Sequence, residues 1–227
     1  MAETSCYVVT WLLQISNVIL KLSVAMEIVS PVLKTSAGFT RTLSEFWEAM
    51  AVGFEVQKEK SCGGHVHITP ARRDNCFTLA ELQKCAFATI VAESTVQSIL
   101  STFRKDNQYC KVNSKSTGGG WAYTAAGGVT KTSIGHAKIL ISRTLTKTEL
   151  RNYMQKPQRE GRYVLWNFAN IIPQGTNPFC TGTVEFRGGS QFLNATTTLK
   201  WVAFVVSFIQ LALDEVSSLR SGHYCEG

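Results

Sequence analysis

The sequence predicts an α+β protein in which a mostly antiparallel sheet with one polar face is backed by helices. Two observations predict this class: strand-like runs alternate along the chain with helix-like runs, and long loops separate them. A third is size, since 227 residues with 44% hydrophobic side chains can bury a core without covalent staples. We expect one main domain over residues 24–220, an atypical apolar segment at 1–23 and a tail at 221–227.

The first predicted elements are a strand and a helix. Residues 24–33 are β-branched and apolar, and the strand should end at Ser30-Pro31. Thr42 and Glu45 have capping-box spacing, so a helix is expected to begin there and to end at Gly53. Its apolar residues fall at the spacing of one buried face: Leu43, Phe46, Trp47 and Met50.

The next segment, FEVQKEKSCGGHVHIT, is predicted to form a strand or hairpin that ends at Pro70. A second capping box, Thr78 with Glu81, opens a long helix. Glu93 lies on the apolar stripe of that helix. Because an unpaired buried carboxylate is costly, we expect Glu93 to have a cationic or metal partner.

Residues 113–136 are rich in Gly, Ser and Thr and predict a mobile loop, for which a lid and plain disorder both stay open. A short helix is expected near 146–155, followed by two strand-like runs, GRYVLWNFANI and TGTVEFRGG. A final helix is expected from about Thr196 to Leu219. Its apolar run of thirteen residues, WVAFVVSFIQLAL, predicts a buried helix and is too short for a bilayer.

The net charge of +7 is spread along the chain, so it favours a small anionic ligand as much as DNA. The seven cysteines lack any CxxC pair, which argues against a disulfide framework or a structural zinc site. Polar residues interrupt the apolar N-terminal run, which makes it a poor signal peptide or membrane span. We therefore expect a cytoplasmic protein with small-molecule partners, no nucleic acid and no membrane.

The stretch SCGGHVHITP is the most informative motif. Successive side chains of a strand point to opposite faces, so His65 and His67 should share a polar face while their apolar neighbours meet the helices. The preceding Gly63-Gly64 pair should leave the backbone open to close approach by a ligand. Alternation likewise puts Glu185 and Arg187 of TVEFR on one face.

Glu27 has the same phase in a third predicted strand, so these side chains are candidates for one site on one sheet face. Two carboxylates and an imidazole suit Mg²⁺ or Mn²⁺, and an adjacent arginine suits a transferring phosphoryl group. Plain structural alternatives stay open: half-exposed histidines, a solvated Glu27, and a simple Glu185–Arg187 pair. A metal-dependent hydrolase is a further alternative, with His136 or His223 as third ligand.

Five blocks carry a resemblance when taken in order: MEIVSPVL, CGGHVHI, a long helix with an inward glutamate, FRKDNQYC and GRYVLWNF, before TVEFRGGSQFLNATTTLKWVAFV. From about Glu27 to Asp214 the chain resembles the amidoligase family, a branch of the carboxylate–amine ligases that includes glutamine synthetase and glutamate–cysteine ligase. The resemblance implies a glutamine synthetase-like sheet, ATP with Mg²⁺ or Mn²⁺, and amide formation through an acyl phosphate. The substrates would be a small carboxylate and an amine.

The resemblance also implies roles for individual residues. Metal binding falls to Glu27, His65 and Glu185, and catalysis to Arg187 and His65. Nucleotide binding falls to His67, Arg187 and Arg162. Substrate binding is assigned more loosely, to Arg104, Asn107, Asn167 and Glu93.

One departure from the family pattern concerns its first strand, which carries two glutamates as Glu-x-Glu. The first 26 residues of this chain contain only Glu3. We therefore expect either a truncated or rearranged member without the usual first strand, or a chain whose residues 1–22 replace that strand with something apolar. The site should hold one fewer metal ion, with weak activity or a different metal arrangement. A degenerate member that binds nucleotide or a partner is the alternative, and the apolar N-terminal segment could cover the open sheet edge by pairing, by packing as a helix or by forming a homodimer.

Overall fold

The computed structural model describes residues 7–19, 22–36, 38–56, 58–60, 62–72, 76–105, 107–116, 130–155, 159–172 and 182–218. Its strands form one antiparallel sheet of six, in the order β2-β1-β4-β6-β5, with β3 paired to β1. The strands are β1 (Tyr7–Ile19), β2 (Leu22–Val29), β3 (Leu33–Lys34), β4 (Gly63–Pro70), β5 (Trp166–Asn167) and β6 (Val184–Ser190). The predicted α+β class with an antiparallel sheet is confirmed.

The N-terminal segment supplies an apolar first strand, β1, in place of the family's usual strand with Glu-x-Glu. β1 lies inside the sheet, between β2 and β4, and its pairing with β4 runs from Tyr7 to Leu13. The segment thus covers the open edge by pairing, one of the three routes expected from the sequence. The Glu-x-Glu pair is nevertheless absent from β1, whose sequence is YVVTWLLQISNVI.

The described residues also form seven α-helices. They are α1 (Phe39–Gly53), α2 (Leu79–Val91), α3 (Glu93–Ile99), α4 (Asn113–Ser116), α5 (Lys131–Ser142), α6 (Lys147–Met154) and α7 (Ala195–Ser218). The predicted long helix is divided at Ala92, which leaves the helical conformation with φ −87° and ψ 3°. Two short 3-10 helices, Arg159–Arg162 and Ala169–Ile171, flank β5.

The two predicted capping boxes have different outcomes. The Thr78 side chain and the Glu81 side chain cap α2 reciprocally, as expected. The box at Thr42 is wrong, because α1 begins a turn earlier after Gly38, whose φ of 99° few other residues adopt. The Thr42 backbone N–H instead donates to the Gly38 carbonyl, and the Glu45 side chain lies 3.5 Å from Arg41.

The core lies between the sheet and the helices. Val66 and Ile68 of β4 and Val184 and Phe186 of β6 are fully buried, as alternation predicts for the face opposite the histidines. α7 covers this face with a set of aromatic contacts, in which Trp166 stacks on Phe208 and Phe186 meets Trp201 and Phe204.

The apolar part of α7 is longer than the thirteen-residue run predicted from the sequence. The 20-residue window Ala195–Asp214 has a mean hydropathy of 1.5 and is long enough to cross a membrane by length and composition, with 28% of it buried. The expectation that this run is too short for a bilayer is therefore wrong as to length. In the structure α7 packs on the sheet through residues such as Val202, Val205 and Ile209.

The loop predicted at residues 113–136 contains helix at both ends, α4 and the start of α5, and its middle lies outside the described residues. The run GRYVLWNFANI forms only the two-residue β5 between the 3-10 helices. No strand precedes β4 within the described part of FEVQKEK, where Val56 makes a single bridge.

Candidate functional site

One row of residues crosses four strands of the sheet. Backbone pairing aligns Thr10 of β1 with His67 of β4, His67 with Glu185 of β6, and Glu185 with Asn167 of β5. Because aligned residues of neighbouring strands lie on the same face, this row belongs to the face opposite the core. The predicted grouping of the histidines with Glu185 on one face is what the register produces.

A bulge places Arg187 beside this row. Gly64 pairs with Gly189 and Val66 with Phe186, so two residues of β6, Arg187 and Gly188, stand opposite His65 alone. A bulge of this kind bends the strand and changes the direction in which a side chain points. Arg187 thereby reaches back over Glu185.

Glu185 is the centre of the site. Its Oε1 accepts a hydrogen bond from Nη1 of Arg187 at 2.6 Å, and its Oε2 accepts one from Nδ2 of Asn167 at 2.6 Å. Nε2 of His67 lies 3.6 Å from Oε1. Nδ1 of His65 lies 3.2 Å from the same oxygen, although its orientation leaves that nitrogen without a well-formed hydrogen bond. Two imidazoles and a guanidinium therefore converge on one carboxylate oxygen.

The protonation states follow from burial and from these neighbours. Burial by itself raises the pKa of the Glu185 carboxyl group, but His67, His65 and Arg187 outweigh burial and hold that pKa far below its usual range. Burial lowers the pKa of His65, which favours the neutral imidazole. The site therefore contains an ionised carboxylate paired mainly with the Arg187 guanidinium.

The exposed edge of the site is formed by His67 and Arg187, whose side chains are 22% and 12% accessible. Nδ1 of His67 lies 3.4 Å from the Thr183 hydroxyl oxygen. Nε of Arg187 donates to the Tyr109 carbonyl oxygen, and Nη2 of Arg187 makes no hydrogen bond to any residue that the structure describes. These two side chains are the groups that a ligand on this face would meet.

Asn167 is held in place by a frame of buried amides. The Asn113 side chain accepts from the Trp166 backbone N–H and donates to the Trp166 carbonyl, at 2.9 and 2.7 Å. The Gln155 side chain accepts from the Phe168 N–H at 2.7 Å. Both neighbours of Asn167 in the chain are thus fixed by side chains, and this compensates for the shortness of β5.

The Gly63-Gly64 pair makes room for the protein's own side chains, so the expectation that it opens the backbone to a ligand is wrong. A Cβ on Gly63 would lie 2.7–2.8 Å from the guanidinium of Arg104, and one on Gly64 would lie 2.3 Å from the ring of Phe192. Arg104 itself is only 2% exposed, and its Nη2 donates to the Arg187 carbonyl oxygen at 2.5 Å.

An aromatic cluster adjoins Arg187. The guanidinium carbon of Arg162 lies 5.2 Å from the centroid of the Tyr163 ring, and that of Arg187 lies 5.7 Å from it. The Tyr109 ring contacts the Tyr163 ring edge-on, with 5.3 Å between the centroids. Arg162 is exposed and lies next to the site through Tyr163. Asn107 instead organises its own loop, accepting from the Tyr109 N–H and donating to the Phe103 carbonyl.

Glu27 is not brought to this cluster. It pairs with Gln14, four residues along β1 from Thr10, and two strands separate β2 from β6. At ordinary strand dimensions that places Glu27 roughly 20 Å from Glu185 along the sheet. The two carboxylates are therefore too far apart to share one ion.

Glu93 is also separate; its hydrogen-bond partners are neutral, and the cation that acts on it is Lys115, whose charge lowers the pKa of the Glu93 carboxyl group. Its carboxylate accepts hydrogen bonds from the backbone N–H and the hydroxyl of Ser114, both neutral groups. Burial raises the pKa of the Glu93 carboxyl group despite these bonds. Of the hydrolase candidates, His136 is exposed on α5, and His223 lies outside the described residues.

The donor set does not fit a magnesium ion as it stands. Mg²⁺ prefers oxygen ligands, whereas His65, His67 and Glu185 offer two imidazoles and one carboxylate whose oxygens already accept hydrogen bonds. In the part of the chain that the structure describes, no group of three or more His, Cys, Asp or Glu residues is arranged to hold a metal ion.

Fold and site together define an α+β protein with a charged cluster on the open face of an antiparallel sheet. Residues 9–117 match the family model described as "Putative amidoligase enzyme", a little under half of the 227 residues. This match confirms the resemblance to the amidoligase family over the matched residues. The match begins within β1, so the family pattern includes the N-terminal strand, while Asn167, Glu185 and Arg187 lie beyond the matched range.

No curated protein and no solved structure matches the chain.

Three parts of the site were missed from the sequence: Asn113, Gln155 and the Tyr109–Tyr163 pair. Buried amides that hold a neighbouring backbone have no periodic signature, because their partners are distant in the chain. Asn113 falls instead at the start of the loop that the composition of residues 113–136 predicts.

Proposed function

We propose that the chain is an ATP-dependent carboxylate–amine ligase whose nucleotide lies on the polar face of the sheet, over His67 and Arg187. The observation that carries this function is the buried Glu185–Arg187 pair, held on the open face of the sheet next to the partly exposed His67. The amidoligase match supports a ligase in general terms. ATP, the acyl phosphate and the two substrates go beyond that match.

The expected reaction has two steps. An oxygen of the substrate carboxylate attacks the γ-phosphorus of ATP, the bond to the bridging oxygen breaks, and ADP leaves with that electron pair. The amine then attacks the acyl carbon of the acyl phosphate, phosphate leaves, and the amine loses a proton. Neither step needs a side-chain nucleophile.

Each polar-face residue has a role suited to its environment. The guanidinium of Arg187 meets the developing phosphoryl charge through nitrogens not engaged by Glu185. His67, the more accessible imidazole, contacts the phosphate oxygens or the leaving group. Glu185 and Asn167 act as positioning residues, because both oxygens of Glu185 are already bonded within the protein.

Magnesium or manganese stays a prediction from the family resemblance. A divalent ion bound with ATP would supply further neutralisation of the phosphates. Because the described residues do not fit such an ion by themselves, the roles above involve only the protein's own groups. The cytoplasmic location, the small-molecule partners and the homodimer likewise stay predictions.

The degenerate, non-catalytic alternative is favoured by one specific observation. β1 has no carboxylate between Tyr7 and Ile19, and Glu27 is remote from Glu185, so the site has one carboxylate where the family pattern implies several. Such a protein would bind nucleotide without forming an amide.

Hydroxamate trapping distinguishes these two functions. The protein is incubated with ATP, a divalent ion, hydroxylamine and a panel of amino-acid carboxylates, and hydroxamate and ADP are measured together. We expect equal amounts of both products with at least one carboxylate, and loss of both products in Arg187→Gln. ATP binding without hydroxamate across the panel would support the non-catalytic alternative and contradict the ligase.

A further inference from the structure

Arg104 is a buried cation without a carboxylate partner among the described residues. Its side chain is 2% exposed, its Nη2 donates to a backbone carbonyl, and its Nε has no hydrogen-bond partner. Among the described residues, the charged or ionisable groups that act on it are Cys110, Arg187 and Cys62, and none of these is a carboxylate. A guanidinium stays protonated in proteins, so this charge is present in the folded state.

Such an arrangement is costly unless something compensates it. An uncompensated buried charge loses its hydration and gains no partner. Arg187, which also acts on Arg104 through its charge, has the same sign and is already paired with Glu185. Within the described part of the chain, these two guanidinium groups and one carboxylate leave one positive charge in excess.

Arg104 lies on the polar face and not in the core. Gly63 is two residues from His65 in β4, so the position of its missing Cβ is on the same face as the imidazole. The Arg104 guanidinium occupies the space directly over that position. The hydroxyls of Ser190, which pairs with Gly63, and Ser101 are 3.2 Å apart at the same end of the sheet.

We propose that Arg104 and Arg187 together form an oxyanion-binding site at the Gly63 end of the polar face. The ligand group is a phosphoryl or a carboxylate group, both of which match the planar fork of a guanidinium. The site deepens the proposed function, and only the identity of its ligand depends on that function. A phosphoryl group would belong to the nucleotide, and a carboxylate would belong to the substrate.

The test uses inorganic phosphate and acetate in separate titrations at constant ionic strength, without nucleotide or metal. We expect at least one anion to raise the Tm of the wild-type protein by about 3–6 °C at a tenfold excess over Kd. Arg104→Gln should lose this shift, and its Tm without anion should equal or exceed the wild-type value, because an unpaired charge has been removed. Arg41→Gln, which changes an exposed arginine of α1, should respond like the wild type.

Gly63→Ala provides a second variant if Arg104→Gln does not fold. Its Cβ displaces the guanidinium at the far end of a flexible side chain, so phosphate or acetate binding should weaken at least fivefold in a folded protein. A response to phosphate alone assigns the site to a phosphoryl group, and a response to acetate alone assigns it to a carboxylate.

No wild-type shift with either anion, or an unchanged shift in the folded Arg104→Gln or Gly63→Ala protein, would overturn the site. A wild-type protein that binds ATP but shows no shift with either anion counts against this site alone. An anion response without any ATP binding counts against the proposed function and leaves the site standing.

Discussion

Nη1 of Arg187 donates to Oε1 of Glu185 at 2.6 Å, between two residues of one strand that alternation puts on the same face, at the point where a bulge begins. The same carboxylate is fixed on its other oxygen by Asn167. A buried ion pair contributes little net stability by itself, and removing one member is costly. The pair is therefore better explained by a requirement for a fixed guanidinium at the surface of the sheet than by stability.

Glu185→Gln should destabilise the protein by about 3–5 kcal/mol, because it leaves the Arg187 charge without its partner. Urea unfolding at neutral pH measures this difference. Glu45→Gln is the matched control, since its partner Arg41 is exposed, and should change the free energy of unfolding by no more than about 0.5 kcal/mol. Equal changes in the free energy of unfolding for the two substitutions would contradict this prediction, because the buried pair would then contribute no more than the exposed one.

Asn113→Ala should lower the free energy of unfolding by about 2–4 kcal/mol, since it leaves the buried N–H and carbonyl of Trp166 without partners. Because Trp166 precedes Asn167, ATP binding should weaken as well. Asn107→Ala also removes two hydrogen bonds to backbone, but in an exposed loop, and should cost less than about 1 kcal/mol. A cost for Asn113→Ala as small as that of the loop variant would contradict the role given to this amide.

Gly64→Ala should destabilise the protein by about 1–3 kcal/mol, because the new methyl group meets the ring of buried Phe192 at 2.3 Å. Gly135→Ala is the control: it lies within α5 with open space around it, and alanine there should stabilise by about 0.5–1 kcal/mol. Thermal unfolding of both variants shows whether each substitution lowers or raises the stability of the protein. A neutral Gly64→Ala would mean that the glycine pair does not serve to admit Phe192.

Glu93 predicts a pH dependence of stability. Its pKa is raised in the folded state by burial, so the folded protein holds the proton more tightly than the unfolded chain. Stability should therefore fall as pH rises from the unfolded pKa, about 4.3, up to the raised folded pKa. Glu93→Gln, which stays neutral and can bond to Ser114, should remove this loss.

Urea unfolding of the wild type and of Glu93→Gln at pH 4.5 and pH 7 measures the difference. The wild type should lose stability relative to the variant at the higher pH. If the difference is independent of pH, the Glu93 carboxyl group is not perturbed in the way described.

β4 and β6 could be predicted from the sequence, because their apolar residues alternate with polar ones and have to face the helices. His65, His67, Glu185 and Arg187 follow from that alternation, and so did their common face. The position of Glu27 could not be predicted in this way, because alternation gives the phase of a strand but not its register or its distance from other strands.

The first strand was missed for a related reason. The run YVVTWLLQISNVI has apolar residues at successive positions and so lacks the alternation of a half-buried strand. The role of Gly63-Gly64 was misjudged because a glycine pair signals close approach of some group, and only the structure identifies that group as the protein's own Arg104 and Phe192.

The most direct test of the central claim, that the polar face binds the nucleotide, is the change in Tm with saturating ATP and Mg²⁺. It compares the wild type, His67→Ala on the polar face and His136→Ala on exposed α5. We expect a rise of about 3–6 °C in the wild type and in His136→Ala, reduced by at least half in His67→Ala. No rise in the wild type, or the same rise in all three proteins, would contradict it.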